Sequence, residues 1–396
     1  MKDKRIWIIF LIVFVNLLGF GIILPLLPYY VESFGAGAIT IGLLTAAYSL
    51  FQIISAPILG ELSDRFGRRP VLVISIFGTA ISFGLLGIAK SIPVLFISRI
   101  IDGITGGNIS TAQAYIADIT TKENRTQGMG IMMAAFSLGF ILGPAVGGLL
   151  SVYGYAVPAF VAGGVALISA ILAYFFLPES HHKTQAANKP QKKPSRVFKV
   201  KDFTDALTHP EVGTLLSIFF ITMFSFSLMQ GTFALYTKHS LNLSAQNNGL
   251  IFAYLGLVGI IVQLFLLKRI ENLLSEHKLI VLTIILMAVA LGLIAVSNNI
   301  SMLLIAITIL ALASGISRPV IAGHISKLTP EEDQGNIAGI NQSVGAVARL
   351  FGPLLGTFFY AQLGIKSPYF IATGLLAITA LYAKNTLKPA KQLVSE

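Results

Sequence analysis

The chain has 396 residues, of which 28 are Lys or Arg and 17 are Asp or Glu, so charged residues make up only 11%. A soluble globular domain carries roughly 25%, and here the hydrophobic content is 55% and the mean hydropathy +0.80. A surface this apolar needs hydrocarbon around it, which excludes a soluble enzyme and a disordered chain.

A helix needs about 20 mostly apolar residues to cross a hydrocarbon layer of about 30 Å. Twelve stretches qualify: 6–30, 41–61, 70–89, 93–118, 127–151, 156–177, 211–236, 246–267, 279–297, 301–326, 335–361 and 367–387. Runs of this length are helices rather than barrel strands, because lipid obliges each segment to pair its own backbone groups. The first run follows Lys2, Lys4 and Arg5 as a signal peptide would. It is too long, lacks a small-residue cleavage site and leads straight into a second span, so it is helix 1. The expected fold is an all-α membrane protein with twelve transmembrane helices.

The net charge of +11 would suit nucleic acid only if the bases formed a patch. They do not. With both termini cytoplasmic, the tails and even-numbered connections hold 22 of the 28 bases, the opposite side holds Lys90, Lys238 and Lys366, and Arg99, Arg318 and Arg349 lie inside spans. This asymmetry is a positive-inside signal, so the charge sets orientation and no nucleic-acid partner is expected. Residues 178–210 contain His181, His182, prolines at 190 and 194 and seven bases from Lys183 to Lys201, and read as a linker along an anionic leaflet. The chain thus divides into an N-terminal six-helix bundle (1–178), a basic cytoplasmic linker (179–210) and a C-terminal bundle (211–396).

Sliding the sequence on itself by 209 residues superposes helices 4 and 5 on helices 10 and 11. Gly106 falls on Gly315, Thr120 on Thr329, Glu123 on Glu332, Gly130 on Gly339, Gly143-Pro144 on Gly352-Pro353, and Gly147 on Gly356. Two pseudo-symmetric halves of six helices in parallel repeat are a transporter architecture, with the site near the mid-plane.

Between helices 2 and 3 stands Gly60-Glu-Leu-Ser-Asp64-Arg65-Phe-Gly67-Arg68-Arg69-Pro70. Its glycines allow a tight turn, and an acid beside three arginines can latch to helix ends or to a neighbouring acid. An ordinary charged turn would have a similar composition. Helix 5 holds Gly139-Phe-Ile-Leu-Gly143-Pro144-Ala-Val-Gly147-Gly148, with glycines four apart on one face and a proline that permits a bend. Small-residue packing alone would explain GxxxG, but not the full string. Helix 1 adds Leu18-Gly19-Phe20-Gly21 running into Pro25 and Pro28, and helix 6 ends in Leu177-Pro178-Glu179-Ser180.

Taken together, these strings resemble the major facilitator superfamily and, within it, the twelve-span drug:proton antiporters, most closely the bacterial quinolone-type and tetracycline-type exporters. The resemblance implies that the 60–70 string is a cytoplasmic gate and that Asp118 pairs with its arginine. It also implies that Gly139, Gly143, Pro144, Gly147 and Gly148 work in gating. The corresponding string at 269–279 loses both glycines and should latch more weakly. Coupling acids do not carry over: the tetracycline-type pumps hold an acid where this chain has Asn16. The quinolone-type pumps hold theirs at the positions of Gln230 and Gly315, although they share Arg318-Pro319 and the Asn341 environment.

A charge at mid-membrane costs several kcal/mol, so each is a functional hypothesis. Asp102 is the only acid well inside a span, and Arg99 lies one turn away on the same face of helix 4. Desolvation favours the neutral acid and a guanidinium favours the carboxylate. Moving Arg99 away would let Asp102 take up a proton, as coupling requires; a permanently ionised packing pair is the alternative. Arg318 and Arg349 either line the cavity and attract an anionic group or, for Arg318 above all, snorkel to the inner mouth. Phe20, Phe136, Phe140 and Phe233 lie on helices that border the cavity in this family, with Asn16, Gln113, Gln230 and Asn341 as polar neighbours. A greasy lining with few polar groups suits varied amphipathic compounds.

No G-x-x-x-x-G-K-[ST] string is present, so a proton gradient rather than ATP is the expected energy source. With no cysteine and with histidines only at 181, 182, 209, 239, 277 and 324, in loops or near helix ends, no metal site, cofactor or catalytic cluster is expected. The reading is a monomeric, non-enzymatic multidrug exporter of the cell membrane, working by alternating access. An exporter dedicated to one metabolite, sugar or siderophore is the alternative.

Overall fold

A computed structural model describes residues 4–121, 124–180, 204, 206, 208–330 and 333–387. Most of the expected linker and the Glu123–Glu332 repeat pair lie outside the described residues. Among those residues no strand occurs. The chain forms α1 (Lys4–Ser33), α2 (Ala38–Phe66), α3 (Arg68–Gly87), α4 (Ile92–Ile119), α5 (Arg125–Leu150) and α6 (Ala156–Phe176). These are followed by α7 (Pro210–Leu241), α8 (Ala245–Leu273), α9 (Glu276–Val296), α10 (Ile300–Lys327), α11 (Gln334–Leu363) and α12 (Ser367–Thr386). All but α12 are long and apolar enough by length and composition to cross a membrane, and α12 runs for 20 residues.

Each expected span corresponds to one helix, with two irregularities. α4 is interrupted at Gly107 and Asn108, between the segments Ile92–Gly106 and Ile109–Ile119, so the expected continuous helix 4 is two helical pieces. α8 contains a π turn at Val262–Leu266. In addition, α2 runs through Asp64 and Arg65 to Phe66, leaving Gly67 as the whole turn before α3.

The residues cluster into two compact units, Met1–Lys193 with Thr237–Tyr254, and Pro194–Tyr236 with Leu255–Glu396. In the first, α1 lies along α5, α3 along α6, and α2 along α4. Glycine makes the α1–α5 contact possible. A Cβ on Gly139 would stand 2.7 Å from the Leu17 Cβ, one on Gly143 2.6 Å from the Leu18 carbonyl, and one on Gly147 2.7 Å from the Ile22 carbonyl. Gly148 points elsewhere, and its Cβ would lie 2.9 Å from the Gly249 Cα. In the second unit α9 packs on α10 and α12, and Gly352 and Gly356 bring α11 onto Ser227 and Leu228 of α7 in the same way. The repeat in sequence is thus a repeat of backbone contacts, which stand in for the hydrophobic drive that lipid removes.

The stretch Thr237–Tyr254, which the repeat assigns to the second bundle, is held to the first unit by specific bonds. Tyr29 donates its hydroxyl to the Leu243 carbonyl (2.6 Å) and accepts from Asn248 Nδ2 (2.6 Å), while Thr237 donates to Asn248 Oδ1 (2.7 Å). Glu32 pairs with Lys238 and, at 3.4 Å, with His239. Outward, Trp7, Ile74, Phe175, Phe176, Leu264, Phe265, Ile378 and Leu381 are more than half exposed, an apolar surface that belongs in hydrocarbon.

Gly143→Val should lower stability by about 1–3 kcal/mol because the new side chain meets the α1 backbone. Gly130→Val, with nothing within 4 Å of its Cβ position, should be close to neutral. Thermal unfolding of the two variants in detergent distinguishes them, and equal losses would show that close approach is not what Gly143 provides.

Candidate functional site

The α4 pair is buried among α2, α3 and α4. Arg99 is 2% exposed and Asp102 5%, with Arg99 Nη1 3.1 Å from Asp102 Oδ2. The guanidinium lies 5.6 Å from the Phe83 ring centroid and 6.0 Å from that of Tyr48, while its Nε and Nη2 have no hydrogen-bond partner among the described residues. α4 is fixed to α3 by hydroxyl contacts: Ser82 and Ser98 each donate to the other's carbonyl at 2.9 Å, and Thr79 meets Thr105 at 3.0 Å. Toward α2, a Cβ on Gly103 would stand 3.0 Å from the Phe51 Cβ.

Below this pair α4 breaks, and polar side chains fill the gap. Ser55 donates to the Gly103 carbonyl and Gln52 Nε2 to the Gly106 carbonyl, both at 3.2 Å. Gly107 has no side chain because a Cβ would lie 2.8 Å from the Ala56 nitrogen. Asn108 is fully buried and accepts from Asn16 Nδ2 at 3.0 Å. Asn16, expected in the substrate cavity, therefore spends its amide on the α4 break. Phe20, one turn on, sits 5.6 Å from the Tyr48 ring.

At the other end of α4 the α2–α3 turn is assembled. Gly67 has φ of +106°, a conformation that glycine takes without strain. A Cβ there would come 2.8 Å from the Glu179 carboxyl carbon. Glu179 uses that space to accept the backbone N–H groups of Arg68 (2.8 Å) and Arg69 (3.2 Å), capping α3 with a negative charge at its N-terminus. Arg68 pairs with Asp64, donates Nε to Asp118 Oδ2 at 3.2 Å and donates Nη1 to Ser63 at 2.6 Å. Ser180 adds a bond to Asp118 at 3.1 Å. Arg69 donates to the Tyr174 carbonyl, Arg65 is exposed over Phe66, and Gly60 is half-buried, its carbonyl accepting from Ser63.

In the second unit Arg318 is exposed, with its guanidinium 4.5 Å over the Phe226 ring and beside a crevice lined by Thr222, Met223, Ser314 and Ser317. The charge that acts on it is that of another cation, Arg349. Of the other expected cavity residues, Gln113 is exposed, and Phe136, Phe140, Gln230 and Asn341 are half-buried. Phe233 is 1% exposed. Sequence reasoning assigned no role to Glu179 or Asn108. The Leu-Pro-Glu-Ser string marked the first without its partner, and Gly106-Gly107 beside an amide was the only sign of the second.

A sequence profile described as the Major Facilitator Superfamily matches residues 9–272 and 215–394. The chain belongs to the major facilitator superfamily. It is 30% identical to multidrug resistance protein 2 of Bacillus subtilis, covering 96% of this chain and 94% of that protein. It is also 30% identical to the class C tetracycline resistance protein of Escherichia coli, with 91% of each covered. Among solved structures, the human organic anion transporter MFSD10 (TETRAN) has a TM-score of 0.70 at 26% identity, covering 97% of this chain and all of that one. A bacterial homologue of the lysosomal transporter Spinster reaches 0.76 at 14% identity over 98% of both, which shows the fold. The protein is a multi-pass membrane protein of a secondary-transporter family.

If Glu179 holds the α2–α3 turn of this superfamily member together, Glu179→Ala should cost about 1–2 kcal/mol, the loss of a charged helix cap. Glu179→Gln should cost less, because its amide oxygen still accepts one N–H. A melting series of the three proteins reads this directly; equal stability of Ala and Gln variants would remove the capping role.

Proposed function

We propose that this protein exports small amphipathic compounds across a cell membrane by alternating access, driven by a proton gradient. On this reading it needs no bound cofactor, catalyses no covalent reaction, acts as a monomer and has both termini in the cytoplasm. The observation that carries the reading is the buried Arg99–Asp102 pair in a chain whose relatives are named for multidrug and tetracycline resistance.

The geometry supports a proton step. While ionised, Asp102 neutralises a cation that no other described acid reaches. When Asp102 is protonated, the guanidinium loses its counter-charge but keeps the faces of Phe83 and Tyr48, a residual attraction of about 0.5–2 kcal/mol. Two donors without partners then let Arg99 find new acceptors as α4 moves. Proton uptake and a shift of α4 are in this way mutually dependent. The relief of a buried, unsaturated pair supplies the differential free energy that a conformational change requires.

Substrate selection falls to the second unit. The accessible Arg318, with Arg349 as its electrostatic neighbour and Phe226 beneath it, suits a compound with an aromatic body and a carboxylate. The likeness to an organic anion transporter supports this.

In proteoliposomes, wild type should release protons when such a compound is added. Asp102→Asn should keep binding within about 3-fold, a difference below 1 kcal/mol, while proton release falls to background; proton-driven export unchanged in Asp102→Asn would move the coupling elsewhere. Separately, Arg318→Ala should weaken binding of carboxylate-bearing compounds about 10- to 100-fold, the value of a charged hydrogen bond. Permanently cationic dyes should be unaffected. Export confined to such dyes would defeat the anion assignment.

A further inference from the structure

The repeat carries a charge reversal. At the offset of 209, Asp118 at the end of α4 falls on Lys327 at the end of α10, and Gly67 falls on Glu276 at the start of α9. The first half thus sets a cation of the α2–α3 turn, Arg68, against an acid on α4. In the second half Glu276 pairs with Lys327 through Oε1 and with His324 through Oε2, two bases one turn apart on α10. The 269–279 string hides this arrangement because its glycines are gone and the acid has changed sides.

Helix dipoles explain why the two halves differ. In the first, Arg68 sits at a helix N-terminus and Asp118 near a helix C-terminus, each the unfavourable sign for its place. Glu179 offsets this by placing a carboxylate on the α3 N–H groups. In the second, Glu276 opens α9 while His324 and Lys327 close α10, so the charges of Glu276 and Lys327 each suit both their own helix and their partner. No capping acid is needed, and the position 209 residues on from Glu179 is Lys388.

We propose that Glu276, Lys327 and His324 are positioning residues forming a charge-reversed second latch, which fixes α10 and opens during transport. Because α10 also carries Arg318, the latch sets where that guanidinium is presented. The inference rests on the transport reading given above, and wild-type export measured alongside separates the two failures.

The test is a double-mutant cycle of Glu276→Gln, Lys327→Gln and both together, with turnover, substrate binding and thermal unfolding as readouts. Each single variant should change turnover at least about 3-fold, with binding within about 2-fold, and the double variant should match Glu276→Gln rather than the product of the singles. The exchange of charges in Glu276→Lys with Lys327→Glu should recover part of the loss. Lys327 is 69% exposed at its side chain, so Lys327→Gln tests the proposal even where Glu276 variants fold poorly. Wild-type turnover in Lys327→Gln, or multiplicative effects in the double variant, would overturn it.

Discussion

Hydrocarbon supplies neither hydrogen bonds nor a reason for apolar helices to associate, and everything else in this molecule follows from that deficit. Backbones must approach closely enough for dispersion to hold them, so glycine is spent where α5 meets α1 and where α11 meets α7. Pro144 and Pro353 sit inside these contacts, each with its ring or Cβ against a glycine of the partner helix, Gly21 and Gly231. Between those pairs, α4 binds α3 through Ser82, Ser98, Thr79 and Thr105, and binds α2 through Gln52 and Ser55 as well as through the close approach of Gly103 and Gly107. The polar contacts can be exchanged for others of similar energy, whereas a glycine-tight backbone contact cannot.

α4 accordingly collects the chemistry. Its first segment carries Arg99 and Asp102, its break is bound by Asn16, and its last turn carries Asp118, which receives Arg68. A change of charge at Asp102 and a change of pairing at Asp118 are therefore changes in one element, joined through Gly107 and Asn108 between its two helical segments. Asn108 keeps an amide nitrogen without a partner among the described residues in the buried break. A buried donor left unpaired disfavours the present arrangement and so lowers the barrier to another.

The twelve helices and their repeat were legible because both are written in long runs and in rare residues. Hydropathy over twenty residues survives local irregularity, and Gly-Pro twice at one offset is hard to produce otherwise. Tertiary competition for backbone groups was not legible. The α4 break depends on Ser55 and Gln52 reaching carbonyls about fifty positions away, and composition within 93–118 gives no hint of them. Glu179 is separated from Arg68 by 111 residues, and its meaning appears only when α6 ends beside α3. Phe233, on a helix that borders the cavity in this family, is 1% exposed, a degree of burial that its place in the sequence did not announce. Periodicity names a face but does not say which neighbour owns it.

The two halves have diverged in charge more than in shape, and the divergence divides the work. The first unit holds its buried cation neutral with Asp102; the positions 209 further on from Arg99 and Asp102 are Thr308 and Ala311, which hold no charge. The second unit instead bears Arg318 with Arg349 as neighbour. On the proposed reading, proton and substrate anion then act on different charges in different units. They do not displace one another from a shared carboxylate, as they would if Gln230 or Gly315 were acidic. Exchange by direct competition is ruled out in such a design, and the only remaining link between the two ligands is a conformational equilibrium that both bias. Selectivity for substrate and stoichiometry of protons become separately adjustable. That separation is consistent with a chain that tolerates varied amphipathic cargo while relying on a single intramembrane acid.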